Sequence, residues 1–151
     1  MIRMMRDADA PELAQLFLTA RQRTFHWVDP ALFQLDDFAR QTQDEQIWVA
    51  EQNGRLCGFI AIWAEDNFVH HLYVDDACHG QGLGRALLAH GLAGSTQPAS
   101  LKVALRNHNA LAFYHRLGWQ DAPEMGECDI TGPWQKLVLN PQRFMQRTRQ
   151  R

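Results

Sequence analysis

The chain has 151 residues, 46% hydrophobic and 21% charged, with a formal net charge of -2. That length suits one domain with a single core, 1–151, and the composition is that of a soluble globular protein. The slightly acidic balance argues against a nucleic-acid partner, and no apolar run is long enough to span a bilayer. MIRMMRDADA carries charges with no apolar stretch behind them, so no signal peptide is expected.

Residues 2–5 predict a first strand. Asp9 then suits a helix N-cap with Pro11 in the first turn, and Leu13, Leu16 and Phe17 fall at helical spacing, so a helix is expected to about Arg23. TFHWVDPALF is a connection broken by Pro30, and a short second helix follows over 36–42. IWVAEQ and RLCGFIAIW flank Asn53-Gly54, a strong hairpin signal, and FVHHLYV (68–74) makes a third strand in the meander. HGQGLGRALL comes next, with a helix over 82–92 that Gly91 and Gly94 weaken and end. LKVAL (101–105) alternates as a strand, 107–117 reads as a helix closed by Gly118, and two late strands lie around Gly132-Pro133. The basic stretch 141–151 is expected to be a frayed, solvated end.

These elements predict a mixed α/β sheet with helices on both faces. Core candidates are Phe59, Ile60, Ile62, Leu72, Val74, Leu83, Leu87, Leu88, Val103, Leu105 and Phe113. Cys57, Cys78 and Cys128 are few, odd in number and far apart, which fits reduced thiols and a cytoplasmic location.

The glycine loop carries the chemistry. A dinucleotide site wants G-x-G-x-x-G after a first strand, but Gly80, Gly82 and Gly84 put the third glycine one place early and in mid-chain. A P-loop wants Gly-Lys-Ser or Gly-Lys-Thr, which this stretch lacks. What remains is a cradle of backbone amides at a helix N-terminus, helped by Arg85, for a pyrophosphate attached to something that brings its own reactivity. A bare strand-to-helix turn would need only one glycine.

HGQGLGRALL after LYVDDAC resembles the acyl-CoA signature of the GCN5-related N-acetyltransferase (GNAT) family, Arg/Gln-x-x-Gly-x-Gly/Ala, at His79, Gly82 and Gly84. NHNALAFYHRLGW is similar to the family's late segment through Asn107, Ala110, Tyr114, Gly118 and Trp119. Two positions depart from the pattern. His79 stands for Arg or Gln and can still donate to phosphate, with a charge that varies near neutral pH. Trp119 stands for Phe.

The resemblance implies a mostly antiparallel central sheet flanked by helices and splayed in the middle to hold acyl-CoA. It implies transfer of an acetyl group from acetyl-CoA to the primary amine of a small molecule or peptide, by direct attack in a ternary complex. It assigns the pyrophosphate to the amides of His79, Gly80, Gln81, Gly82, Leu83, Gly84 and Arg85. The pantetheine arm goes to the backbone of Leu72, Tyr73 and Val74, with an oxyanion donor near Val74. Tyr114 becomes the general acid toward sulfur, and a cofactor contact. Its alternative is a packed helix aromatic sharing a face with Ala110 and Leu117. Asn107 is assigned to helix start and cofactor, with simple capping as the alternative.

For the base, period two puts His70 on the face of Leu72 and Val74 and His71 opposite. His70 is the expected base, directly or through water, since some family members carry an acid or histidine there; a half-exposed strand histidine is the alternative. No metal is expected, because adjacent strand residues point apart and no carboxylate or cysteine completes a set. The acceptor pocket is expected from Arg21, Arg23, Phe25, His26 and Trp27, with His71, since arginine beside aromatics suits a carboxylate or planar group. Exposed helix-end residues explain that segment equally well. The resemblance makes a homodimer a reasonable expectation. Two other functions fit the loop: a non-catalytic acyl-CoA-binding module, and a weaker reading as an ATP or NAD domain.

Overall fold

The computed structural model describes residues 1–140; the basic stretch 141–151 lies outside the described residues. The elements run β1 (Ile2–Met4), α1 (Ala10–Thr24), α2 (Asp37–Gln41), β2 (Gln46–Gln52), β3 (Arg55–Trp63), β4 (Phe68–Val74), α3 (Leu83–Gly91), β5 (Ala99–Ala104), α4 (His108–Arg116), β6 (Gln120–Cys128) and β7 (Gly132–Leu139). The seven strands form one sheet in the order β1-β2-β3-β4-β5-β7-β6. All neighbours are antiparallel except β4 and β5, which run parallel and share one register pair, Phe68 with Ser100.

Each face of the sheet has its own core. Leu13, Leu16, Phe17 and Ala20 recur at helical spacing on α1 and bury against Phe38 of α2 and Val49, Phe59 and Ala61 of the sheet. Phe17, Phe38 and Phe59 meet edge to face at 5.5–6.0 Å. The opposite face takes α3 and α4, where Leu87, Leu88, Tyr114 and Leu117 pack on Ile60, Ile62, Val103 and Leu137. Gly91 lets α3 lie close, since a Cβ there would sit 2.7 Å from Ile62 Cδ1. Of the expected core, Phe59, Ile60, Ile62, Leu87, Leu88 and Val103 are buried, Leu72, Val74, Leu83 and Phe113 are partly covered, and Leu105 is half-buried outside both cores.

Asn53 and Gly54 both take positive φ (53° and 76°), which the tight β2–β3 turn requires. Asp9 differs from its expected role. Its side chain does not cap α1; it accepts from the Arg6 amide at 2.7 Å and binds the Arg3 guanidinium. The preceding 3-10 turn over Asp7–Asp9 supplies the local structure that competes for that carboxylate.

The cysteines also differ. Cys57 of β3 and Cys78, in a 3-10 turn after β4, form a disulfide with Cα atoms 5.9 Å apart. Gly58 pairs with Val74, so the turn after β4 folds back beside Cys57. Strand pairing creates that proximity, and sequence spacing hides it. Among the described residues Cys128 is the free thiol.

Candidate functional site

The single parallel rung makes a slot. Beyond Phe68 and Ser100, β4 and β5 diverge with no further register pairs between them. The Asp75 amide donates to Cys57 oxygen at 2.7 Å. Hydrogen-bonded and non-bonded pairs alternate along an antiparallel ladder, so Leu72 and Val74 turn their N–H and C=O groups away from β3 and into the slot. The same alternation commits the Tyr73 backbone to Phe59 on β3, which removes Tyr73 from the expected backbone set. Its phenol instead lies on the α1 face, where burial pushes it up to about 12.

The glycine loop stands at the wide end. Gly80 and Gly82 take φ of 83° and 74°, and a Cβ at either would meet open space. These two are needed for the turn, which points successive amides outward. Gly84 has a different reason: a Cβ there would come 3.3 Å from Phe113 Cζ, so it permits α3 to meet α4. Leu83, Gly84 and Arg85 open α3, where amides lack intrahelical partners. His79 is exposed and a ring nitrogen, Nε2, donates to Val74 oxygen at 3.1 Å, joining the loop to the end of β4. The Gln81 side chain is held by Gln52 Nε2 at 2.7 Å, leaving its backbone for a ligand. The open glycine cradle, the amides at the start of α3 and a strand edge on which only the Val74 oxygen is engaged, by His79, together fit a pyrophosphate followed by an amide-bearing arm.

On the same face, Asn107 caps α4 by accepting from the Ala110 amide at 3.2 Å, so its oxygen is engaged and its NH2 is the part left for a cofactor. Tyr114 is buried, meeting Trp119 at 5.6 Å and Phe113 at 5.1 Å. Burial pushes its phenol well above the usual range, and the nearby Tyr73 adds to the shift. The group is therefore a neutral donor.

The histidine pair corrects the sequence expectation. Ala61 pairs with His71 and Ile62 with Val69, so His70 is the extra residue of a β-bulge. The bulge swings it off the Leu72 and Val74 face. His70 and His71 stack with ring centroids 3.8 Å apart, both on the α1 side. Glu45 completes the group: its Oε2 accepts from His70 Nδ1 at 2.7 Å, which leaves His70 Nε2 as the bare, basic nitrogen. Both grounds for dismissing a metal therefore fail, since the rings do not point apart and a carboxylate is present. His71 packs edge-on against Phe17 at 4.8 Å. Burial, then the charges of His70 and Arg21, push its pKa well below the histidine range, against a hydrogen bond to the Gln41 backbone. No local pattern marks Glu45 in the sequence. It is brought in by register, because Gln46 pairs with Ile62 and Ile62 with Val69.

The expected acceptor residues divide. Arg21 is a buried structural cation: it pairs with Asp37 at 3.1 Å, donates to Phe17 and Gln34 oxygens, and lies 3.8 Å over the Phe17 ring. It is withdrawn from the acceptor set, because i,i+4 contact with Phe17 turns it inward. Arg23 is exposed and pairs with Asp76 at 3.7 Å. Phe25, His26 and Trp27 form an edge-to-face cluster at 5.2–5.5 Å. Trp27 Nε1 donates to Thr131 oxygen at 3.2 Å and its ring lies 5.0 Å from the Arg106 guanidinium. The α1–α2 connection thus meets the β5–α4 and β6–β7 turns, contacts that the sequence does not signal.

A family model described as the acetyltransferase (GNAT) domain matches residues 43–121. The chain is 25% identical over 146 residues to the peptidyl-lysine N-acetyltransferase YiaC of Escherichia coli (strain K12), covering 88% of this chain and 97% of that protein. Among solved structures it is similar to apo YjaB from Escherichia coli, with TM-score 0.74, 21% identity, and 91% and 95% of the two chains covered. It is also similar to yncA from Salmonella typhimurium with its cofactor acetyl-CoA, with TM-score 0.67, 20% identity, and 93% of each chain covered.

Proposed function

The chain belongs to the GNAT family of acetyltransferases, and from that premise we propose that it moves an acetyl group from acetyl-CoA to a primary amine of a small molecule or peptide, both bound at once. The thioester supplies the activated acyl group. The chain's own residues hold it, take a proton from the amine and return one to sulfur. The loop amides from Gly80 to Arg85 hold pyrophosphate, the expected His79 amide being bound to Asp76 oxygen, and Leu72 and Val74 offer strand hydrogen bonds to the arm. The Leu72 N–H, nearer the narrow end than Val74, serves the acyl oxygen where charge develops.

One juxtaposition carries this reading: the bulge at His70 follows directly on the Phe68–Ser100 rung where the slot narrows. The donor elements α3 and α4 lie on one face of the sheet and His70 with Glu45 on the other. A thioester entering from the first face and an amine from the second meet at the narrow end. His70 Nε2 receives the ammonium proton, and Glu45 on Nδ1 fixes the tautomer and stabilises the resulting cation. Tyr114 donates to the departing sulfur. A peptidyl-lysine acceptor is favoured by the similarity to YiaC.

The test is a panel of small amines, amino acids and lysine peptides with acetyl-CoA, following released thiol. Turnover on at least one acceptor is expected, with His70→Gln and Glu45→Gln each lowering kcat/KM by about 10²-fold or more. Tight CoA binding with no turnover on any amine would instead favour the acyl-CoA-binding module.

A further inference from the structure

Two buried polar atoms near the bulge lack partners. They are His71 Nε2 and Glu45 Oε1, and both belong to one cluster. The Glu45 side chain is 5% exposed, although it is a carboxylate whose other oxygen already serves His70. An unsatisfied acceptor in that setting costs free energy unless something fills the space between them. The donor atoms that Glu45, His70 and His71 can offer all lie within 4.8 Å of one another.

We propose that Glu45, His70 and His71 form a binding site for a divalent transition-metal ion, with Zn2+ the best match. Two imidazoles and one carboxylate are the donor set that Zn2+ accepts, and three protein ligands leave a fourth position open. The register explains why the site persists. Glu45 is fixed by Gln46 at the start of β2, and Gln46, Ile62 and Val69 align across three strands to bring the bulge beside it. The His71 ring is held by Phe17 and by its hydrogen bond to the Gln41 backbone, the outer support that metal-binding histidines need. An ion would replace the Glu45–His70 hydrogen bond: that pair, 2.7 Å apart, has to open, while the His71 nitrogen, within 4.8 Å of the others, comes in. His70 would bind through Nδ1, which faces Glu45. That requires its proton on Nε2, the nitrogen that must be bare to deprotonate an amine. Metal occupancy and proton abstraction therefore exclude each other. This last consequence rests on the acetyl-transfer reading, whereas metal binding itself does not.

The experiment is calorimetric titration of the metal-free full chain with Zn2+, and titration with Co2+ read by its visible ligand-field bands. One ion per chain and a four-coordinate Co2+ spectrum are expected. His70→Ala and Glu45→Gln should each lower affinity by more than ~10-fold, given that losing even an outer partner commonly costs that much. Cys128→Ser and His115→Ala, remote from the cluster, should bind as wild type does. Unchanged CoA affinity in each variant shows that it is folded. Should His71→Ala not fold, His70→Ala alone decides, because that ring is exposed. No binding to the wild type, or binding that survives His70→Ala or Glu45→Gln, overturns the proposal. Neither result touches acetyl transfer, which the amine panel decides separately.

Discussion

At the scale of residues, Tyr114 and Arg21 show what burial does to two side chains expected at the site, Tyr114 as the proposed proton donor. Tyr114 must be neutral to donate a proton, and burial raises its phenol, so the donor form persists as pH rises. Its rate contribution should hold through pH ~10, the ordinary phenol value, with no basic limb below it. Tyr114→Phe should lower kcat by about 10²-fold with the KM for acetyl-CoA unchanged; a rise in KM with kcat unchanged would reduce it to a packing residue. Arg21 carries the opposite lesson. Its guanidinium is shared among Asp37, two backbone oxygens and the Phe17 ring, so nothing is left for an acceptor. Arg21→Ala takes one partner from a buried carboxylate that keeps Arg40 and the Gln34 amide, and should cost about 1–3 kcal/mol in denaturant unfolding, while acceptor KM in the folded fraction stays put. Burial works against the Asp37 charge, yet the Gln34 amide and then Arg21 outweigh it and hold the carboxyl below its usual range. Its folded pKa is depressed, so the stabilisation is full above the unfolded value of ~3.9 and is lost as pH falls through the folded one. Wild type should therefore lose more stability than Asp37→Asn on acidification below pH ~4.

At the scale of elements, the glycine loop separates into two kinds of requirement. Gly82→Ala meets no atom but must hold φ near 74°, a strain of about 1–2 kcal/mol. It should weaken CoA binding without disturbing the α3–α4 contact. Gly84→Ala has ordinary backbone but presses on Phe113, so Phe113→Leu should restore what it loses; a Gly84→Ala defect that Phe113→Leu leaves unrelieved would mean the amide itself is misplaced. Element order, the Asn53-Gly54 hairpin and the loop-to-helix junction were legible because each depends on neighbours in sequence. The bulge was not. Period two assumes an uninterrupted ladder, and one extra residue at His70 moves a side chain to the other face. Glu45 and the Cys57–Cys78 bridge were hidden for a related reason, since each depends on which strands lie side by side. Arg21 was misjudged because an arginine at a helix end normally faces water, and here an aromatic one turn back draws it inward.

At the scale of the molecule, the sheet is two blocks joined at one edge. β1 to β4, with α1 and α2, make one block, and β5, β7 and β6 make the other, with a single ladder rung between β4 and β5. Packing of α3 and α4 over the shared face supplies the rest of the join. A ligand whose arm hydrogen-bonds along Leu72 and Val74 completes a strand edge that the fold leaves open, so it should stabilise the whole chain and not the loop alone. At 100 times Kd, binding to the native state adds about 2.7 kcal/mol. For a chain of this size that is a rise in Tm of roughly 5–11 °C. ATP brings phosphates to the same loop but no amide-bearing arm to fill the slot. At equal concentration it should shift Tm by less than ~2 °C, well below the CoA shift. An equal shift with both ligands would place the binding energy in the loop amides alone, and the splay between β4 and β5 would then have no part in holding the cofactor.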